Sequence, residues 1–181
     1  MKRVLSFAAM LMVTVTASAT IMHIDPVSTT ILQGDTFDLN VQITDVTDLY
    51  AYQFDIAYNS PFSTSVVEGS FLASGGATFF VSSLGGVITS VANTLLGPVP
   101  GVSGSGTLAT IRFTALFPGT SAIMPSNIIL LNSALGDIPV EVQTGTVTVI
   151  PPVPEPNSGL LLGSVIVLGL LGHCWVKKPA E

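Results

Sequence analysis

Apolar and polar residues alternate along much of the chain between Thr20 and Ile150. Phe37, Leu39, Val41 and Ile43 interleave with Asp38, Asn40, Gln42 and Thr44. Tyr50, Tyr52, Phe54, Ile56 and Tyr58 interleave with Ala51, Gln53, Asp55 and Ala57. A period of two sends successive side chains to opposite faces of a strand, one face toward a core and the other toward water. β-branched runs follow at Val87 to Val91, Leu108 to Ala115, Ile128 to Leu131 and Thr144 to Ile150, and a first strand is expected over Ile21 to Asp25. Turn-forming clusters separate them: Gln33-Gly34-Asp35, Asn59-Ser60-Pro61, Gly75-Gly76, Gly85-Gly86, Gly101 to Gly106 and Pro118-Gly119. No stretch sustains a helical period. The pattern predicts one all-β domain over residues 20–150, an antiparallel sandwich long enough to bury a single core.

Two apolar blocks lie outside this region. Lys2 and Arg3 precede the run Val4 to Thr16, and Ala17-Ser18-Ala19 supplies small residues at a cleavage position. That order is the pattern of a secretory signal over residues 1–19, cut after Ala19 and read through Ala17 and Ala19, so that the mature chain begins near Thr20. Near the other end, Gly159 to Val176 carries no charge and is followed at once by Lys177 and Lys178. At about 1.5 Å per residue such a helix would cross roughly the hydrocarbon thickness of a bilayer. The basic pair in residues 177–181 places the following tail on the cytoplasmic side and the middle of the chain outside. Gly159 and Gly163 have the spacing of a close helix–helix contact, and equally the ordinary glycine content of membrane helices.

Between domain and anchor, residues 151–158 form a proline-rich stalk. Proline fixes φ and biases the residue before it away from helix, so the segment is stiff and extended. It reads either as a spacer or as a strand presented to a protease cleft. Val153-Pro154-Glu155-Pro156, then an apolar helix rich in Leu and Gly, then terminal basic residues, resembles the PEP-CTERM sorting signal. The resemblance implies export in a bacterium with an exopolysaccharide matrix and handling by a membrane-embedded exosortase. Carried over residue by residue, its recognition motif is Pro154, Glu155 and Pro156. The family's terminal cluster is usually arginine-rich, and here it is Lys177-Lys178-Pro179.

A second resemblance covers most of residues 21–150. Gln33-Gly34-Asp35-Thr36-Phe37, the Tyr52-Gln53-Phe54-Asp55-Ile56 strand ending at Tyr58-Asn59, and Gly106-Thr107-Leu108-Ala109-Thr110-Ile111-Arg112-Phe113 together resemble a cohesin domain. Cohesins are nine-stranded jelly-roll sandwiches related to cellulose-binding modules, and their known partners are dockerin modules. The matching residues are core and turn positions, so they imply a fold and a class of partner but no contact residue. Where a cohesin often has Asp after the strand-ending Tyr, this chain has Asn59.

Composition narrows the chemistry. The chain has 181 residues, with Lys+Arg 5 against Asp+Glu 11. Arg112 is its only cation between residues 4 and 176. Phosphate neutralisation needs several cations on one face, which excludes nucleic acid as a partner. His23 is the one histidine outside the membrane block, no lysine falls in the domain, and Cys174 lies in the anchor. A nucleophile–base relay would have to use His23 on the first strand, where a strand-surface histidine is the simpler account. No pair among the domain's carboxylates is singled out for acid–base work. The expectation is therefore a protein that is not an enzyme, with no catalytic residue and no cofactor.

Three weaker motifs have competing readings. Asp35, Asp38, Asp45, Asp48 and Asp55 cluster in sequence and could offer calcium hard oxygen ligands, but they lack EF-hand spacing and suit turns and solvent-facing strand positions. Gly104-Ser105-Gly106 resembles a dinucleotide loop only in its glycines, since a β-branched strand follows where a helix is required. Tyr50, Tyr52 and Tyr58 share a strand face, with Phe79 and Phe80 in another segment, and the tyrosines would form a polysaccharide platform if that face pointed outward; Phe54 and Ile56 have the same parity and favour burial. The expected function is an exported surface or matrix-associated interaction protein. Its partner is a dockerin-like protein or a matrix component, with a polysaccharide-binding module and, less favoured, a glycan-active enzyme as the alternatives.

Overall fold

The computed structural model describes residues 19–59, 62–86 and 88–152. The signal segment through Ser18, the motif Pro154-Glu155-Pro156 and the apolar block from Gly159 lie outside the described residues. Among those described, no helix is long and apolar enough to cross a membrane.

Ten strands run in chain order: β1 (Thr20–Asp25), β2 (Ser28–Leu32), β3 (Thr36–Tyr58), β4 (Phe62–Glu68), β5 (Thr78–Gly85), β6 (Ile88–Leu95), β7 (Val102–Ala115), β8 (Gly119–Asn132), β9 (Val140–Val142) and β10 (Gly145–Ile150). A single helical turn, α1 (Ser70–Ala73), follows β4 and buries Phe71 and Leu72. It is too short to leave a periodic signature in the sequence.

The N-terminal part of β3 pairs with β7 from Thr36 to Leu49 and with β1 from Asn40 to Thr44, and its C-terminal part pairs with β8 from Leu49 to Tyr58 and with β6 from Ala51 to Ala57. Hydrogen bonding is therefore continuous through β3 while the strand passes from one layer of the sandwich to the other. One layer reads β5-β6-β3-β8-β10-β2 and the other β4-β7-β3-β1-β9. Pairing is antiparallel except for β1 with β9 and β10 with β2, which run parallel.

The sequence pattern predicts two strands where the structure has this one. The reason is visible in the parity of the buried residues: Leu39, Val41 and Ile43 point inward in the first half, and Tyr52, Phe54, Ile56 and Tyr58 in the second. A uniform strand cannot bury odd positions and then even ones, so the ladder must slip. It does so through register shifts between Val41 and Leu49, and Asp45 and Asp48 there have φ of 55° and 58°. Aspartate tolerates this left-handed region better than branched residues do. The corner is held from β7: Asp45 and Asp48 donate their N–H groups to Ser105 Oγ at 3.0 Å and Ser103 Oγ at 2.9 Å. Those serines lie in the expected Gly101–Gly106 turn, which is instead strand from Val102 onward.

The layers close on Phe54, Phe113, Met22, Ile24, Leu39 and Ile43, all below 2% exposure. Phe113 stacks on Phe37 at 5.4 Å and meets Tyr58 edge-on at 5.3 Å, joining both ends of β3 across the core.

Candidate functional site

The tyrosines take the buried alternative and not the sugar platform: Tyr52 and Tyr58 belong to the core, and Tyr50 packs partly buried against it. Tyr52 and Tyr58 are 2% and 3% exposed. Their hydroxyls donate to the carbonyls of Leu108 at 2.5 Å and Gly86 at 2.6 Å, and Tyr50 donates to Gly97 at 2.7 Å. Burial pushes the Tyr52 hydroxyl far above its ordinary pKa. The platform does not form, because the parity shared with Phe54 and Ile56 turns these rings inward.

The clustered aspartates do not converge either. Asp38 forms a two-pronged pair with Arg112, at 2.7 and 2.8 Å, which holds its carboxyl below the usual range. Asp48 accepts from the Ser133 hydroxyl at 2.7 Å, with the Ser133 and Gly101 N–H groups also donating, and its pKa falls for the same reason. Asp55 accepts from Asn127 and Ser90 at 2.7 and 2.6 Å and is likewise lowered. Each carboxylate is spent on a different element. Among the described residues no three His, Cys, Asp or Glu side chains come close enough to hold a metal. His23 sits half-buried on β1 opposite Gln42. Gly104 and Gly106 belong to β7, which pairs with β3, so no phosphate-binding turn exists there. Of the expected cleavage residues, Ala19 is exposed immediately before β1 and Ala17 lies outside the described residues.

What the fold does assemble is an exposed face on β5, β6, β3 and β8. The strand registers align four outward rows across it. The first row is Phe79, Thr94, Ala51 and Leu131, and the second Val81, Ala92, Gln53 and Ile129. The third is Ser83, Ser90, Asp55 and Ser126, and the fourth Gly85, Ile88, Ala57 and Met124. Phe79 and Val81 on the edge strand are 61% and 47% exposed, and Ile129 on the far side of β3 is 46% exposed. Between them β3 and β6 contribute small side chains, Ala51 and Ala92, so the first two rows form a shallow trough of about 340 Å³ with apolar walls. Large apolar residues aligned in this way, and not scattered singly, mark an interaction surface.

One charge lies within the rows. Asp55 is ionised at neutral pH and held by Ser90 and Asn127 beside the apolar rows. The sixteen row residues include no His, Cys, Lys or Arg. The face combines a hydrophobic trough with one oriented carboxylate, an arrangement suited to holding a partner. The sequence offers Phe79 only as an aromatic in a separate segment and does not single out Val81 or Ile129, because alternation assigns each strand two faces but does not say which strands stand side by side.

Comparison with known proteins agrees with this architecture. A family model for the cohesin domain matches residues 22–149, more than half of the chain. Among solved structures, the chain is similar to a non-cellulosomal cohesin from the hyperthermophilic archaeon Archaeoglobus fulgidus, with 17% identity and a TM-score of 0.62, over 74% of this chain and 92% of that one. A second is from a type I cohesin–dockerin complex of Clostridium thermocellum, with 12% identity and a TM-score of 0.60, over 78% and 100%. A third is a type II cohesin domain from the cellulosome of Acetivibrio cellulolyticus, with 16% identity and a TM-score of 0.60, over 72% and 95%. A search of curated proteins gave no match. At these identities the structures speak for the fold, and the family match speaks for descent: over residues 22–149 this chain belongs to the cohesin-domain family.

Proposed function

We propose that the chain is a non-enzymatic docking protein whose outward face of β5, β6, β3 and β8 binds a protein partner of the dockerin kind. The observation that carries this is the alignment of Phe79, Val81, Ile129 and Leu131 into an apolar trough beside ionised Asp55. The centre of such a surface can supply most of the binding energy through a few well-packed apolar groups, while a single fixed carboxylate sets orientation. Family membership supports the reading, as does the printed description of the Clostridium thermocellum neighbour as part of a cohesin–dockerin complex.

The same proposal places the protein outside the cytoplasm. The signal pattern ending at Ala19, the Pro154-Glu155-Pro156 motif, the apolar block and Lys177-Lys178 support export, handling by an exosortase and attachment at the bacterial surface or matrix. The decisive experiment measures binding of the full chain to a set of dockerin-bearing proteins and, in parallel, to exopolysaccharides. Saturable binding to a dockerin that Val81→Asp and Ile129→Asp each weaken, with the fold retained by circular dichroism, is the expected result. Dockerin binding that survives both substitutions, or binding only to polysaccharide, would overturn it.

A further inference from the structure

Among the described residues β5 pairs only with β6, which leaves its other edge bare. Leu96, just past β6, donates its N–H to the Ala77 carbonyl at 2.8 Å, and this bond fixes the phase of the ladder. In an antiparallel ladder, opposed residues alternate between pairs that exchange both backbone bonds and pairs that exchange none. Counting from Ala77 opposite Leu96, the bonded pairs are Phe79 with Thr94, Val81 with Ala92, Ser83 with Ser90 and Gly85 with Ile88. Thr78, Phe80, Ser82 and Leu84 therefore turn their N–H and C=O groups to the bare edge.

The domain has four edge strands, β2, β4, β5 and β9. An edge is a row of unpaired backbone groups that templates another strand, and it is ordinarily blunted by shortness, charge or proline. β9 has three residues with Glu141 at its centre, β2 has five between Pro26 and Asp35, and β4 ends at Glu68. β5 has eight residues, the most of the four, and no charge or proline. From Val81 to Gly85 it is exposed on both faces: Leu84, on the parity that faces the core, is 51% exposed.

We propose that two copies of the chain pair through β5, antiparallel about a two-fold axis at Val81. Alternating donors and acceptors along an edge are met by an extended chain, and β5 is its own complement. In this register Thr78 lies opposite Leu84 of the second copy and Phe80 opposite its Ser82, so all four edge-facing residues enter bonded pairs. Moving the axis along the strand leaves at least one of them unmatched. Val81 meets Val81 in an unbonded pair, where side chains stand closest and β-branched residues pack well. The chain carries a net charge of −6, so two copies repel where their acids meet. Glu68, which accepts from the Thr78 hydroxyl at 2.6 Å, lies at the end of β5 away from the axis. Two copies of it would stand roughly 20 Å apart, beyond the screening length in physiological salt. The pairing makes one continuous sheet, and the two troughs open side by side on the same face.

Disulfide trapping tests this on the full chain, with Cys174→Ser removing its only cysteine. Opposed residues of an unbonded pair have Cα atoms about 4.5 Å apart, within the span of a disulfide. Under mild oxidation Val81→Cys should give a linked dimer. Ser83→Cys should not, because this register holds its two copies at least about 13 Å apart. Adding Ser82→Pro to Val81→Cys should cut the dimer yield about tenfold or more, since it removes an edge-facing N–H and leaves the bonds to β6 whole. Ser82→Asp, which sets two carboxylates beside the axis, should do the same, with circular dichroism showing each variant folded. Ser82 has the parity opposite to the trough residues, so partner capture is read separately. Absence of the Val81→Cys dimer overturns the pairing. Equal linking at Val81 and Ser83, as from random collision or association elsewhere in the chain, overturns it too, and so does a yield that neither Ser82 variant lowers.

Discussion

Replacing Gly69 by alanine should be among the most damaging single-methyl changes in the domain. Gly69 lies between β4 and α1 with φ of −81°, an angle any residue adopts, so the backbone itself raises no objection. The obstacle is β7. A Cβ on Gly69 would stand 2.6 Å from the Thr107 carbonyl carbon and 2.7 Å from that of Leu108, against 3.4 Å or more for ordinary contact. These atoms, and the Thr107 carbonyl oxygen closer still, are backbone in a paired strand, so the two segments must separate by about an ångström or more. That separation strains the 2.9 Å bond from Gly69 N–H to the Leu108 carbonyl, which also accepts the buried Tyr52 hydroxyl. Overpacking costs about 1–3 kcal/mol and loosening a buried acceptor about 1–3 kcal/mol, offset by about 0.4–1 kcal/mol from restricting the unfolded chain. The expected net loss is about 3 kcal/mol. With a urea slope near 2 kcal/mol per molar, the midpoint followed by far-ultraviolet circular dichroism should fall by about 1.5 M. Gly34→Ala is the control: its φ of 96° strains alanine, yet nothing lies within 4 Å. A cost of about 1 kcal/mol, near 0.5 M, is expected there. Equal shifts for the two variants would refute the close approach to β7 as the cause.

Tyr52→Phe should cost about 1–2 kcal/mol in the same assay, since it strips a hydroxyl from the Leu108 carbonyl and from Asn93, which is 3% exposed; no change would deny that bond a stabilising role. Stability should fall as pH drops below about 4. Asp38, Asp48 and Asp55 all have folded pKa values lowered from 3.8, so the unfolded chain takes up protons first and acid favours it. Thermal melts should show this decline, and Asp48→Asn, which removes one of the three, should make it shallower. Val81→Asp on the exposed edge strand should leave the melting temperature within a few degrees of the parent while weakening dockerin capture by roughly 30-fold or more, the effect of losing a central apolar contact; calorimetry with the captured partner reads both. Mass spectrometry of the secreted chain should place its first residue at Thr20, and a protein still carrying Ala17-Ser18-Ala19 would contradict the export reading.

The alternation of Phe37 to Ile43 and of Tyr50 to Tyr58 determined, without any structure, that these residues build half-buried strands and that the domain is all-β. It also oriented the tyrosines correctly, because Phe54 and Ile56 on the same parity leave no apolar-outward arrangement that keeps a core. The switch of parity between the two runs even contained the slip at Asp45 and Asp48, although a single continuous strand could not be inferred from it: whether the chain breaks there depends on Ser103 and Ser105 arriving from β7 to hold the corner, some sixty residues away in the chain. Alternation is a local property and says which residues share a face of one strand. Which strands lie side by side is settled by closing the core, and only that closure brought Phe79, Val81, Ile129 and Asp55 onto one surface from β5, β3 and β8.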